Sequence, residues 1–466
     1  MPRLMPRVAF VLTFLIAASA HAISPEAAQK LYDQAAPSLV AVRYTWENEL
    51  GRRELTGAGV VVSNDGLVMS PLSVFDNRIP DDQMKDFLII VAHEDRDAEE
   101  INADFVGRDE RSNVAFLKAK AAKDGKTREW KPIKFEEAGV SVAQPVYSVG
   151  MLPEMANFKP YFMEAAVSAK LRGEQPQVLV QGGLAAVGSP VFTADGKAIG
   201  VVNWQPGQSV FLNDERNALG SVIQPPKFFV PTRDFQTSLS DPPKAGEPLK
   251  LPWMGVSQMT GLSKDVAEVY GLQNQPAVQL GDVIPNMPGA KGGLKQGDII
   301  VKMNGQPLER GDEPDEVPQI MRRNVMRMKV GEAVTFSVLR GRGEPLTDVK
   351  VTLEEMPKRP NSAKRWYAED LGFSVREMLF MDTYARHLDA DAKGVIVALI
   401  RPQSAAQTGG LQNNDLITEL NRQPVTSLEQ FQKAYQEFRK ASPREAVVMV
   451  VQREANTKVI RIEPPQ

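Results

Sequence analysis

Short apolar runs separated by turn residues dominate the chain between residues 38 and 235. The pattern predicts many short β-strands, the clearest being at 38–44, 59–62, 87–91, 114–117, 146–149, 178–180 and 198–202. So many short strands with little helix are typical of a β-barrel or sandwich. One helix is predicted ahead of them, at 24–36, because Ser24 is a suitable N-cap and Pro25 suits the first turn.

The second half of the chain contains an internal repeat. Residues 292–308 (GGLKQGDIIVKMNGQPL) match residues 409–425 (GGLQNNDLITELNRQPV) at a constant offset. A duplicated domain is the simplest explanation. Each copy also predicts one amphipathic helix, with apolar residues at helical spacing. The helix of the second copy begins with a capping box made of Ser427 and Gln430. The apolar positions are Val317, Ile320, Met321, Val325 and Met328 in the first copy and Leu428, Phe431, Tyr435 and Phe438 in the second.

The N-terminus differs from the rest of the chain. Arg3 and Arg7 precede an apolar run at 8–18, and small residues follow at 18–22. The run is too short to span a bilayer, so residues 1–22 are predicted to be a secretory signal peptide. The alternative interpretation is an N-terminal membrane anchor. Because of this predicted signal peptide, the mature protein is expected to be exported to the periplasm or cell envelope. No other stretch is long and apolar enough to predict a stable membrane span.

Composition restricts the chemistry. The chain has 466 residues, which suggests about three domains. Its formal net charge is −3, and this gives no support to nucleic-acid binding. There is no cysteine and there are only three histidines. We therefore expect no disulfide, no structural metal site and no cofactor.

Three motifs in the strand-rich half carry a specific resemblance. The first is the glycine-rich turn at 182–190, which is followed by a hairpin turn at Asp195-Gly196. The second is a strand, a turn and a second strand at 57–69, followed by residues 70–75 (SPLSVF). The third is residues 113–118 (NVAFLK), preceded by 107–109 (GRD). Together they resemble the catalytic motifs of the HtrA (DegP-like) family of trypsin-fold serine proteases, and the repeat signature resembles PDZ domains.

The resemblance implies a mainly β protein. A chymotrypsin-like double β-barrel would be followed by two α+β PDZ domains. The implied boundaries are a signal peptide at 1–22, a trypsin-like domain at 23–240, and PDZ domains at 250–356 and 366–463. Residues 241–248 and 356–362 are predicted linkers, since both are rich in proline. Family members assemble as trimers, so a homo-oligomer, or a mixed oligomer with an active relative, is also implied.

The departures from the family fall on the catalytic positions. Aligned on Pro190, the nucleophile position is Val187, the base position is Ser73, and the position of the orienting carboxylate is Asn113. Valine has no proton to lose, and neither Ser73 nor Asn113 titrates near neutral pH. A triad requires all three roles, so no catalytic residue is assigned.

Few residues are available as replacements. His21 lies in the predicted signal peptide, His387 lies in the second repeat, and His93 lies in a charged turn that is typical of a solvated surface. Ser189 is two positions past the lost nucleophile, and a hydroxyl before proline in a tight turn is usually structural. An active endopeptidase that uses Ser189, or other unconventional residues, remains the alternative hypothesis.

Each PDZ-like copy has a candidate carboxylate-binding loop. A PDZ domain binds an extended C-terminal peptide as an added strand, and backbone N–H groups hold the terminal carboxylate. Glycine lets the backbone approach such a ligand closely. The alternative interpretation is a plain strand start with a glycine bulge. The predicted peptide-binding residues are Trp253, Met254, Gly255 and Val256 in the first copy and Leu371, Gly372, Phe373 and Ser374 in the second.

The functional hypothesis is an exported pseudoprotease. It would bind peptide C-termini or unfolded segments of envelope proteins and act as a chaperone, adaptor or regulator. A third possibility is a structural scaffold whose PDZ grooves are filled or closed. A basic cluster on the first PDZ helix is either a solvated face or a preference for acidic peptides; its members are Arg322, Arg323, Arg327 and Lys329.

Overall fold

The computed structural model describes residues 23–76, 79–121, 128–172, 175–204, 211–213, 224–244, 249–272, 275–389, 391–454 and 456–465. The predicted signal peptide and His21 lie outside the described residues, as do residues 245–248 of the first predicted linker. Within the described part of the chain, no helix is long and apolar enough to cross a membrane.

A helix and a closed six-stranded barrel form the first part of the fold. Helix α1 (Pro25–Ala35) begins at Ser24, whose Oγ accepts the N–H of Ala27, as its capping role predicts. The barrel has the strand order β1-β2-β3-β6-β5-β4, and its centre is filled by alternate apolar side chains. Its strands are β1 (Leu39–Asn48), β2 (Gly51–Val61), β3 (Leu67–Pro71), β4 (Met84–Val91), β5 (Glu99–Asp109) and β6 (Val114–Ala119).

A second closed barrel follows, with the order β10-β11-β12-β9-β8-β7. A short helix, α2 (Gln236–Ser240), follows the last strand. The prediction of a mainly β fold with two barrels is confirmed. The strands are β7 (Pro145–Met151), β8 (Pro160–Leu171), β9 (Gln177–Gly182), β10 (Pro190–Phe192), β11 (Ala198–Val202) and β12 (Phe228–Pro231).

The first repeat is a sheet of six strands covered by a helix. The strand path is β14-β15-β16-β18-β19, β17 pairs with β16, and a separate pair joins β13 to β20. The elements are β13 (Pro252–Trp253), β14 (Val256–Gly261), α3 (Lys264–Val269), β15 (Val278–Val283), α4 (Pro288–Gly292), β16 (Ile299–Met303), β17 (Gln306–Pro307), α5 (Val317–Met326), β18 (Ala333–Leu339), β19 (Thr347–Thr352) and β20 (Glu354–Glu355).

The second repeat has the same plan with one additional strand at the edge. Its path is β21-β22-β23-β24-β26-β27, and β25 pairs with β24. The elements are β21 (Arg365–Ala368), β22 (Phe373–Glu377), α6 (Phe380–Ala385), β23 (Val395–Ile400), α7 (Ala405–Thr408), β24 (Leu416–Leu420), β25 (Gln423–Pro424), α8 (Leu428–Ala441), β26 (Val447–Arg453) and β27 (Asn456–Ile462). Ser427 caps α8 as predicted, because its Oγ accepts the N–H of Gln430. The side chain of Gln430 accepts the N–H of Thr426 rather than that of Ser427, so the predicted capping box is only half formed.

Polar and aromatic contacts join the repeats to the barrels and to each other. Arg327 on α5 donates to the backbone and side chain of Asp234, which precedes α2, at 3.2 and 3.1 Å. Between the repeats, the hydroxyl of Tyr384 donates to the carboxylate of Asp282 at 2.7 Å, and the rings of Trp253 and Phe380 make an edge contact. Helix α5 of the first repeat therefore lies against the barrels.

Candidate functional site

The turn at the nucleophile position is apolar and buried. It connects β9 to β10, and Val187 on it is only 3% exposed. Leu184, Ala185 and Ala186 are buried as well. The turn is tied to the barrel by backbone bonds, among them Gly188 N–H to Val202 O at 2.9 Å. No side chain at 184–187 offers a polar atom.

Ser189 does not take the nucleophile's place. It is 2% exposed, and its Oγ has no hydrogen-bond partner among the described residues. A Cβ placed on Gly150 of β7 would overlap this Oγ, so the hydroxyl points into the second barrel. A nucleophilic hydroxyl needs a base within hydrogen-bond reach. Ser189 has none in this conformation.

The backbone donors of the oxyanion hole are altered too. In the trypsin fold, the hole uses the N–H of the nucleophile and the N–H of the residue two positions before it. These positions are Val187 and Ala185 here. The N–H of Ala185 donates to the Oγ of Ser148 on β7 at 2.8 Å, and Ser148 is fully buried. One of the two donors is therefore directed into the barrel rather than toward a substrate.

The structure brings the three triad segments to one corner of the two barrels. Asn113 begins β6 with a left-handed φ of 56°, and its carbonyl accepts the N–H of Leu72, next to Ser73. A Cβ on Gly188 would lie 2.9 Å from Pro71 at the end of β3, so the nucleophile turn touches the same corner. The segments that carry the three positions therefore meet at this corner.

The space left at this corner is very small. A cavity of about 20 Å³ lies between the barrels, bordered by Asn113 and Gly188, and this holds about one water molecule. Ser73 does not border the cavity, and its Oγ has no hydrogen-bond partner among the described residues. The bordering residues are Met69, Ser70, Pro71, Ser112, Asn113, Val114, Gln175, Gly188, Val201, Val202, Asn203, Val230 and Phe235. None of these side chains titrates near neutral pH.

One buried carboxylate near Asn113 in the chain serves a structural role. Asp109, four residues before Asn113, is fully buried. Its oxygens accept bonds from Arg111, at 2.6 Å for the shorter guanidinium contact, and from Ser238 Oγ at 2.7 Å. Asn113 instead donates to Gln175 Oε1 at 3.4 Å. A carboxylate that is already paired in this way cannot orient a base at the vacant site.

The histidines lie in other places. The ring of His93, in the turn between β4 and β5, contacts Glu99 and Arg96 at 3.1 and 3.0 Å. It is half-buried by these partners, which corrects the expectation of a freely solvated side chain. The Arg128 side chain is the main cause of a lowered pKa at Glu99, and the His93 bond adds to it. His387 is exposed in the turn after α6.

The predicted basic cluster is divided between two faces of α5. Arg323 is largely buried beside Glu309, and Arg327 binds Asp234. Both border a cleft of about 550 Å³ between α5 and the barrels, and Asn113 lies on its opposite wall. Arg322 is exposed and faces the other side. The solvated-face interpretation is therefore corrected for Arg323, which is buried, whereas Arg327 stays exposed although it bonds to Asp234.

The predicted loop of the first repeat borders a groove. Gly255 has a φ of 73°, and a Cβ there would lie 2.5 Å from the Cβ of Met287. The carbonyl of Met254 accepts the N–H of Gly289 at 2.7 Å, and the carbonyl of Gly255 accepts the N–H of Ile284 at 3.0 Å. These bonds hold the loop against α4. Within the described sheet, β14 is the outer strand, so its outer edge faces α5.

Sequence motifs alone did not predict the full wall of this first groove. Its volume is about 290 Å³, and it lies between β14 and α5. The second predicted linker and Met381 of α6 complete it, because the two repeats pack together here. The apolar wall includes Trp253, Val256, Val325 and five methionines, Met254, Met259, Met326, Met356 and Met381. Arg322 supplies positive charge at the same groove, whereas Lys358 and Arg359 are paired with Glu377 and Glu110.

The second repeat differs from the expectation of an open groove. Strand β21 pairs in antiparallel register with the outer edge of β22, from Arg365 opposite Arg376 to Ala368 opposite Phe373. Backbone addition of a peptide at that edge is therefore prevented in this conformation, because β21 already uses it. Ser374 is buried beneath the strand pair, and Leu371 lies in the core.

Comparison with known proteins agrees with this architecture. A model described as "Trypsin-like peptidase domain" matches residues 57–201, and models described as "PDZ domain" match 254–351 and 396–453. The fold and these matches define a protein with a trypsin-like peptidase domain followed by two PDZ domains. Solved structures titled "HtrA-type protease AlgW with decapeptide" and "HtrA-type protease AlgW with tripeptide" share the fold at 17% and 18% identity. Both have a TM-score of 0.52, with 71% of this chain covered in each case and 99% and 98% of those chains.

Curated proteins similar to this chain share one description. A "Probable periplasmic serine endoprotease DegP-like" of Marinomonas sp. (strain MWYL1) is 28% identical over 82% of this chain and 74% of the relative. A protein with the same description from Brucella suis biovar 1 (strain 1330) is 24% identical over 87% of this chain and 73% of the relative. Over most of its length the chain is therefore similar to DegP-like proteins of the HtrA family.

Proposed function

We propose that this HtrA-like chain is a pseudoprotease that binds C-termini or unfolded segments of envelope proteins. One observation carries the proposal: Val187 is buried at the nucleophile position, and the preceding N–H of Ala185 is bonded inward to Ser148. Acyl transfer needs an activated nucleophile and donors aimed at the developing oxyanion. Neither the vacant triad positions nor Ser189 supplies them.

The first groove supports the binding role. A peptide added along β14 would place its side chains among methionines, which adapt their shape to different partners. The exposed Arg322 at the groove favours a peptide that carries a carboxylate. The similar AlgW structures are described as complexes with a decapeptide and with a tripeptide. We assign to this groove flexible segments with apolar anchors and acidic neighbours.

The proposed location is the periplasm or cell envelope. The curated relatives are described as periplasmic, and the N-terminal sequence predicts an export signal. In that compartment the chain would act as a chaperone, adaptor or regulator. It would do so alone, as a homo-oligomer such as a trimer, or in a mixed oligomer with an active relative.

A cleavage assay tests the loss of peptidase activity. The purified mature chain is incubated with unfolded casein and, separately, with a fluorophosphonate probe, with Ser189→Ala as the matched variant. We expect no cleavage and no adduct in either protein. Sustained cleavage that Ser189→Ala abolishes, or a probe adduct mapped to any serine between 38 and 235, would establish the alternative of an endopeptidase with unconventional residues.

A binding assay tests the groove. Capture from an envelope fraction identifies bound C-termini, and calorimetry then measures an acidic peptide of that sequence. Arg322→Glu is expected to weaken binding by about fivefold, since a partly exposed charge contributes roughly 1 kcal/mol. Arg342→Glu is the matched control, because Arg342 is exposed in the turn between β18 and β19, away from the groove. Equal effects of the two substitutions would contradict the assignment.

A further inference from the structure

We propose that β21 is a built-in ligand of the second PDZ domain, and that the groove beneath it recognises a C-terminal peptide with the pattern aromatic, any residue, small residue. The inference extends peptide binding to a second site and does not depend on the first groove being occupied. Four observations support it: the edge that β21 occupies, the atom at its end, its side-chain packing, and its contrast with the first repeat.

Strand β21 occupies the edge where a peptide would add. Its four residues, 365–368, pair with 373–376 of β22 without a register shift. Its other long edge is unpaired within the described sheet, where β21 is the outermost strand. It also contacts α8, so it lies in the space between strand and helix. This is the arrangement of strand addition, in which main-chain bonds provide affinity and pockets select alternate side chains.

The end of β21 meets the predicted carboxylate loop. The N–H of Gly372 donates to the carbonyl of Ala368 at 2.8 Å. A loop N–H that would hold a terminal carboxylate is thus satisfied by Ala368, so Ala368 occupies the position of a peptide's last residue. Arg401 lies beside this loop, since a Cβ on Gly372 would be 3.3 Å from its Nε. The corresponding residue of the first repeat is Ile284, so the second loop alone gains a cation suited to a carboxylate.

Alternate side chains of β21 fill the groove. The ring of Trp366 makes edge contacts with Phe431 and Tyr435 of α8, at centroid distances of 6.0 and 5.1 Å. Ala368 is 1% exposed in the same core. Successive strand residues point to opposite faces, so the side chains of Trp366 and Ala368 lie on the same face of β21 and point into the groove. The hydroxyl of Tyr435 also donates to Asp370 at 2.7 Å, which holds the turn after β21 against the helix.

Among its described residues, the first repeat has no equivalent strand on its groove. Its short β13 pairs with β20, and the outer edge of β14 is left without a partner strand in the described sheet. The residues at the position of β21 would be 248–251, which begin with Pro248. Proline lacks the N–H that a ladder requires. The PDZ match in the second copy starts at residue 396, so β21 and β22 lie outside it, whereas the first match starts at 254.

A labelled peptide tests the inference in the full mature chain. The probe is fluorescein-Lys-Arg-Trp-Tyr-Ala with a free C-terminal carboxylate, and the amidated peptide is its control. Trp366→Ala and the milder Trp366→Leu loosen β21 from α8. Arg365→Ala is the matched control on the opposite face of the same strand, because its guanidinium bonds to the carbonyl of Pro360 and not to the groove. We expect at least tenfold tighter probe binding by the Trp366 variants than by the wild type or Arg365→Ala, and loss of that gain with the amide.

A reversible lock separates the two grooves. Tyr367 lies opposite Ser374, and the chain has no cysteine of its own, so Tyr367→Cys with Ser374→Cys can join β21 to β22 by a single disulfide. Added to Trp366→Leu, the lock should remove the gained binding when oxidised and restore it when reduced. Peptide binding in the first groove is not expected to respond to the lock. If the first groove binds no peptide, that result counts against the proposed function but not against the inference about β21.

Several results would overturn the inference. The first is a wild-type chain that binds the probe as tightly as the Trp366 variants. The second is a folded Trp366→Leu that gains no binding, and the third is a gain that persists in the oxidised lock. A gain accompanied by dimerisation in light scattering would show exchange of β21 between copies instead of a peptide site.

Discussion

Restoring the three triad residues is not expected to restore peptidase activity. The perturbation is the triple variant Val187→Ser, Ser73→His and Asn113→Asp. A complete triad contributes roughly 10⁶-fold to kcat in serine proteases. Each oxyanion donor contributes about 10²- to 10³-fold. The triple variant supplies the first contribution but leaves the N–H of Ala185 bonded to the Oγ of Ser148 at 2.8 Å.

The magnitude follows from that bond. Losing one donor alone should leave the triple variant about 10²- to 10³-fold below a protease with an intact hole. Substrate access adds no further loss to this figure, because Asn113 borders the cleft of about 550 Å³ as well as the cavity of about 20 Å³. A fluorogenic peptide and a fluorophosphonate probe report hydrolysis and nucleophile reactivity separately. The inactive reference carries Ser73→His and Asn113→Asp with Val187→Ala.

Adding Ser148→Ala to the triple variant extends the test. The substitution removes the acceptor of the Ala185 N–H, so we expect any measurable rate to rise relative to the triple variant. A hydroxyl buried at 187 without a partner costs about 1–3 kcal/mol of folding free energy. Circular dichroism is therefore used to check that each variant is folded. A triple variant that cleaves within tenfold of an active HtrA protease, with Ser148 unchanged, would refute the argument that the hole is turned inward.

Three further predictions concern stability, each measured by urea unfolding of the full chain. Ser189→Ala should be neutral or stabilise by up to about 1 kcal/mol, because its buried hydroxyl lacks a partner within the described residues; a loss above 1 kcal/mol would show that the hydroxyl is bonded. Burial alone would raise the pKa of Asp382, but bonds from Arg376 and a backbone N–H outweigh it and lower the pKa below 3.8. The unfolded state then binds more protons than the folded state at acid pH, so this stabilisation is present above about pH 4 and lost as pH falls through the folded pKa. Asp382→Asn should therefore cost about 3 kcal/mol at pH 7, and an undiminished cost at pH 3 would contradict the assignment. Gly372→Ala should destabilise by more than the roughly 1–2 kcal/mol of a left-handed backbone, because its Cβ would also overlap the neighbouring loop; Gly410→Ala, with a φ of 84° and open space around it, supplies the backbone cost alone, and equal losses would exclude the overlap.

Local patterns predicted much of the fold because they report on local physics. The cap at Ser24 and the cap at Ser427 act within one turn of helix, and both are present. The strands predicted at 114–117 and 198–202 correspond to β6 and β11. The constant offset of the repeat also predicted matching bonds, since Gly289 N–H to Met254 O and Ala406 N–H to Leu371 O are equivalent.

The candidate sites were predictable only in part. Side-chain identity showed that Val187 cannot act as a nucleophile, but nothing in the local sequence indicated that the Ala185 N–H turns to Ser148, which lies on a strand far away along the chain. Likewise, the basic cluster on α5 reads as one surface in sequence, whereas Arg327 faces the barrels and Arg322 faces the first groove.

The sequence by itself determined the class of fold, the duplication, and the absence of a titratable triad, because residue type and periodicity act over one or two turns of chain. Only the tertiary structure decided which donors face a substrate and which groove is open. Those properties depend on contacts between segments distant in the chain. Strand β21 shows the difference: the sequence motifs singled out none of its four residues, and the proposal that they fill a binding groove rests on their pairing with β22 and on the packing of Trp366 on α8.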